Sequence, residues 1–73
     1  MTNTVLLNEI IEKSGLKKSY IAKQLGISAY CLAKKIRNEN DFKTKEVDAM
    51  CKVLGITSLK QKEEIFFAQN VDK

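Results

Sequence analysis

The sequence predicts an all-α domain of about five short helices with a central helix-turn-helix, and three observations carry that expectation. Apolar residues recur at helical spacing through most of the chain, and proline is absent. Each of the three glycines, Gly15, Gly26 and Gly55, closes one stretch of that periodicity, where a left-handed helix terminator belongs. No segment carries a strand signal worth defending.

The first helix is expected to follow a cap at Asn3 or Thr4 and to end at Gly15, with Leu6, Leu7, Ile10 and Ile11 as its buried stripe. The second runs from Lys17 to Leu25, turning Ile21, Ala22 and Leu25 inward and leaving Lys17, Lys18 and Lys23 on the remaining surface. Gly26 then turns the chain and Ile27 plugs the core. Ser28 caps a third helix, about residues 28–37, whose core commitment is Leu32 and Ile36. After a polar stretch from Asn38 to Lys43, in which Phe42 is an inward anchor, Thr44 caps a fourth helix. That helix turns Val47, Met50, Cys51 and Leu54 inward, and Gly55 and Ile56 repeat the exit of Gly26 and Ile27. Ser58, with Gln61 at capping-box spacing, opens a fifth helix carrying Leu59, Ile65, Phe66 and Phe67.

At 73 residues the chain makes a single domain, residues 1–73, because so short a polypeptide buries only a modest core. Its 44% hydrophobic and 30% charged residues are ordinary for a folded soluble protein and suggest neither disorder nor a membrane span. The N-terminus lacks the basic region and apolar stretch of a secretory signal, so the cytoplasm is the expected location. Cys31 and Cys51 stand far apart with no histidine to join them as zinc ligands. They are expected as free thiols, one on a surface helix and one filling core space. Without a histidine or a glycine-rich phosphate loop, no constellation of nucleophile, base and orienter can be assembled. Neither enzymatic activity nor a cofactor, metal or small-molecule ligand is expected, and binding is the expected role.

Charge placement says more than the net +4. Lys13, Lys17, Lys18, Lys23, Lys34, Lys35 and Arg37 lie between Lys13 and Asn38, a stretch with no acid. The rest of the chain holds six basic and all nine acidic residues, for a sum of −3. A solvated helix usually mixes signs to form i, i+4 pairs, as Lys60, Lys62, Glu63 and Glu64 do. A segregated basic stretch is what a phosphate backbone would attract. The corner between the second and third helices fits the same picture: Ala22 permits close approach and Gly26 accepts positive φ, while Ile27 and Leu32 lock the angle.

On these residues the stretch LKKSYIAKQLGISAYCLAKKIRNENDF, Leu16 to Phe42, resembles the phage Cro and repressor helix-turn-helix family, also called the XRE family. It looks most like the small prophage regulators of low-GC Gram-positive bacteria, and the tail LGITSLKQKEEIFFA, Leu54 to Ala68, is similar to their endings. The resemblance implies a lambda-repressor-like domain acting as a transcriptional regulator on double-stranded DNA. Its third helix would enter the major groove and its dimer would read half-sites about 34 Å apart. The family's base-reading positions fall on Ala29, Tyr30, Ala33 and Lys34. Lys34 can donate to guanine O6 and N7, Tyr30 can meet a base edge or a thymine methyl, and the alanines offer apolar contact. Phosphate contacts are implied at Lys17, Lys18, Ser28, Lys35, Arg37 and Asn38, supplemented by helix N-terminal amides.

Plainer readings stand beside these: Tyr30 as a partly buried aromatic shielding the turn, and Asn38 as a simple helix stop. The chain also departs from the family's pattern. Lys17 stands where many members carry a capping Ser or Thr, Lys35 occupies an often apolar position, and Glu39 and Asp41 fall in a loop that is often more basic. Phe66 and Phe67 point about 100° apart on a helix and cannot both sit deep in a small core, so one faces a partner copy or both cover the core edge. The rival to DNA binding is a helical protein-interaction module, of anti-repressor or antitoxin-partner type, that sets the basic face on an acidic protein.

Overall fold

The computed structural model describes residues 1–67; residues 68–73, including Ala68 of the tail quoted above, lie outside the described residues. The described residues are all-helical, with α1 at Thr4–Ser14, α2 at Lys18–Leu25, α3 at Ala29–Ile36, α4 at Thr44–Leu54 and α5 at Leu59–Phe66. Each helix supplies one large side chain that is fully buried: Leu7, Ile21, Leu32, Met50 and Ile65. Ile11, Ala22, Ile36, Val47, Ile56 and Phe66 complete the buried cluster, with Leu6, Ile10, Leu25, Ile27, Phe42, Cys51 and Leu54 packed partly buried around it. α2 packs on α3 and α4, while α1 touches α3, α4 and α5.

Local chemistry sets most boundaries. Of the two candidate caps for α1, Asn3 takes the role, its side chain accepting from the Leu6 N–H at 3.1 Å. Thr4 is the first helical residue, and its hydroxyl goes elsewhere. Ser28 caps α3 by accepting from Cys31 N–H at 3.1 Å, and Ser58 caps α5 by accepting from Gln61 N–H at 3.4 Å. Lys17 flanks α2 without a side-chain cap. The expected cap at Thr44 is corrected: Thr44 is the first residue of α4, Lys43 holds the cap position, and the Glu46 carboxylate reaches back to accept from Lys43 N–H at 2.9 Å.

Gly26 carries the turn between α2 and α3. At φ 75° it adopts the left-handed conformation that a side chain would strain, and Ile27 N–H closes back on Ala22 C=O at 3.0 Å. The corresponding position after α3 is Asn38, also left-handed at φ 65° and not a glycine. Asparagine is the next most tolerant residue there, and its side chain gives the geometry a further use.

Candidate nucleic-acid interface

α3 presents two chemically distinct faces. Leu32, Lys35 and Ile36 are buried, while Tyr30, Ala33, Lys34 and Arg37 follow one another at i, i+3, i+4 and i+7 and therefore share the opposite face. Tyr30 is 70% exposed, so it does not shield the turn from within. The Lys34 ammonium lies 5.2 Å from the centre of the Tyr30 ring, a cation–π contact within one helix turn. Ala29, exposed at the first position of α3, stands one turn before Ala33. The four expected base-reading residues are thus gathered on or beside one exposed strip, Lys34 and Ala33 being half-buried at its flanks.

The expected phosphate set divides. Lys17 and Lys18 are exposed at the α1–α2 corner, where Lys18 flanks a groove with Asn8, Ile11, Glu12 and Leu16. Ser28 is exposed with its hydroxyl occupied as a cap acceptor. Arg37 is exposed and paired with Glu39 at 2.7 Å. That pair is open to solvent on both sides, so it contributes no more than about 1 kcal/mol and leaves the guanidinium available.

Two members are corrected. Lys35 is not a surface cation: its side chain is 11% exposed, its ammonium lies 3.0 Å from the Glu46 carboxylate, and it donates to the Asp41 carbonyl at 3.0 Å. Placed three residues after Leu32 and beside Ile36, it falls on the inner face of α3, where a charge persists only with a partner. Asn38 is exposed, but its side-chain amide is engaged within the fold. Its amide oxygen accepts from Thr2 N–H at 2.8 Å, and its amide nitrogen donates to Thr2 C=O at 2.8 Å and towards Thr4 Oγ1 at 3.4 Å. It stops the helix, and it also ties that stop to the N-terminal segment.

Phe66 is corrected as a surface contact as well. It is 4% exposed and meets Phe42 edge to face, ring centres 5.4 Å apart, whereas Phe67 remains 55% exposed. Leu59, read as one of the apolar positions of α5, is 69% exposed and flanks a shallow groove with Lys62, Glu63 and Phe67.

Sequence reasoning missed Glu46 and Thr2, the buried partners of Lys35 and Asn38. The signal for Glu46 was its place three residues after Lys43, at capping-box spacing; nothing local marks Thr2. Both cysteines are free, with Cys31 exposed on α3 and Cys51 partly buried, where burial, aided by Asp48 and opposed by Lys62, pushes the thiol up. Neither α2 nor α3 carries an acidic residue, and among the described residues no ion pair engages Lys17, Lys18, Lys23 or Lys34. Among the described residues no helix is long and apolar enough to cross a membrane. No protein-family model, curated protein or solved structure matches the chain.

Proposed function

We propose that this chain is a small Cro/repressor-type transcriptional regulator that binds double-stranded DNA sequence-specifically. In this reading α2, the Gly26–Ser28 turn and α3 form a lambda-repressor-like helix-turn-helix, and the outward face of α3 enters the major groove. One observation carries it: Tyr30, Ala33, Lys34 and Arg37 share the outward side of α3, Tyr30 and Arg37 exposed and Ala33 and Lys34 half-buried, on a helix pair that holds no acid to repel a polyanion. Lys34 and Tyr30 bias the choice of sequence, and Lys17, Lys18, Lys23 and Arg37 supply affinity through counterion release.

Affinity for duplex DNA is expected to fall steeply across a salt series, and a flat response overturns the proposal. Lys34→Ala relaxes preference at one base step and loses about 1–3 kcal/mol on the matched site. Lys18→Ala weakens every sequence alike and lowers the salt slope by about 1. Bulk duplex added to the protein separates this reading from its rival, since a module that docks on an acidic protein keeps its partner in the presence of excess DNA.

Useful specificity from so few phosphate contacts calls for two copies on a palindromic site. α5 supports a homodimer, because Leu59 and Phe67 leave large apolar surface exposed there. Phe67 also borders a cavity of about 280 Å³ with Met1, Asp41, Phe42, Val47 and Phe66. Sedimentation is expected to show Phe67→Ser lighter than the parent; an identical monomer for both ends the dimer proposal.

A further inference from the structure

The last turns of α3 are held from two sides by contacts that ordinary helix termination does not require. On the α4 side, Lys35 bridges to the Glu46 carboxylate and to the Asp41 carbonyl, each at 3.0 Å. On the N-terminal side, Asn38 pairs with both backbone groups of Thr2 at 2.8 Å, and Thr4 donates its hydroxyl to the Ile36 carbonyl at 2.6 Å. Thr2 is itself only 6% exposed, and Asn3 N–H donates to the Ile65 carbonyl of α5 at 2.7 Å. Residues 2–4 therefore strap the end of α3 to the end of α5.

A helix leaves its last four carbonyls without intrahelical partners beyond its own end, and here each has a donor. Ala33 receives Arg37 N–H, Lys34 receives Glu39 N–H, Lys35 receives Asn38 N–H, and Ile36 receives the Thr4 hydroxyl. Ala33 and Lys34, which lie on the outward strip, belong to these same turns, and Arg37 follows directly.

We infer that Lys35 and Asn38 are positioning residues: the two-sided brace they form sets how the outward face of α3 is presented to DNA, without either side chain touching DNA. The consequence for affinity rests on the DNA-binding reading; the brace itself does not. Lys35 cannot turn outward to a phosphate without stranding a buried carboxylate, and the amide of Asn38 is already bonded through both its oxygen and its nitrogen.

Asn38→Gly tests the N-terminal side, because glycine keeps the left-handed backbone and loses only the side-chain bonds. A Lys35→Met, Glu46→Leu double variant tests the other side, exchanging the ion pair for apolar packing so that no charge is stranded. Both variants are expected to fold and to bind every duplex about tenfold more weakly, the loss of roughly one or two hydrogen bonds' worth of order. Their salt slopes are expected to match the parent's, whereas a lysine on a phosphate would lower the slope by about 1.

In the free protein, amide exchange at Arg37, Asn38 and Glu39 is expected to be about tenfold faster in Asn38→Gly. A slope reduced in the double variant, affinity unchanged in both variants, or unchanged amide exchange in Asn38→Gly each overturns the inference. Should the parent bind no duplex at all, the DNA-binding reading fails by itself. Amide exchange then still decides the brace, together with the NMR shifts of Tyr30 and Lys34, which must move in both variants.

Discussion

Glu46→Ala is expected to lower the free energy of unfolding by about 3–5 kcal/mol in a urea titration followed by circular dichroism. The carboxylate does two tasks at once. Among the described residues it is the only acid paired with the Lys35 ammonium, at 3.0 Å, and it is the side chain that accepts the Lys43 N–H at the start of α4. Its removal leaves a buried cation held by one carbonyl and an uncapped helix end. Small domains are stable by about 5–15 kcal/mol in all, so a loss of this size should move the urea midpoint of this variant far below the parent's. Lys35→Met with Glu46→Leu is the control. Removing both charges strands neither, so that double variant should lose only the cap on Lys43 N–H, about 1 kcal/mol, and stay well above Glu46→Ala. A fully stable Glu46→Ala would mean that the ion pair is not the partner of a buried charge.

The same carboxylate gives the protein an acid limit. Burial alone would raise the Glu46 pKa, but the Lys43 N–H, the hydrogen bond and charge of Lys35, and the charge of Lys43 together hold it below its ordinary 4.5. A group whose pKa is lower folded than unfolded stabilises the native state fully above its unfolded pKa, and that contribution is lost as pH falls through the folded value. The parent should therefore lose stability below about pH 4.5 more steeply than the double variant, in denaturant titrations run from pH 6 downwards.

Much of the helix layout was legible because it is written in local chemistry. Gly15, Gly26 and Gly55 end helices through backbone conformation, Asn3, Ser28 and Ser58 start them through one side-chain oxygen each, and the buried stripes of α1 and α4 repeat at helical spacing. The outward residues of α3 came from the family resemblance rather than from spacing, and the exposure of Tyr30 was left open by the sequence. What could not be read locally were the interactions that cross the fold. Lys35 looks like one more lysine in a basic stretch until Leu32 and Ile36 are seen to carry it inward beside a glutamate of the next helix. Asn38 meets a partner 36 positions away. Phe66 and Phe67 were separable only as a pair, because adjacency on a helix says that they diverge and not which of them faces Phe42.

A pair of substitutions two residues apart tests whether α3 is oriented as described. Leu32→Ala is expected to lower unfolding free energy by about 3–5 kcal/mol, through lost transfer energy and the cavity left behind. Leu32 is 0% exposed, and it belongs to the buried cluster that includes Ile21, Ala22 and Ile36. Tyr30→Ala, at a site 70% exposed, forfeits only the cation–π contact with Lys34 and should stay within about 1 kcal/mol of the parent. Its expected effect is instead on DNA, where both the aromatic edge and the support it gives the Lys34 ammonium are lost. Melting curves and duplex affinities of the two variants should therefore diverge. Comparable loss of stability from both would mean that Tyr30 is buried and α3 is rotated from the orientation described, and the strip of Tyr30, Ala33, Lys34 and Arg37 could not then be the face that meets the groove.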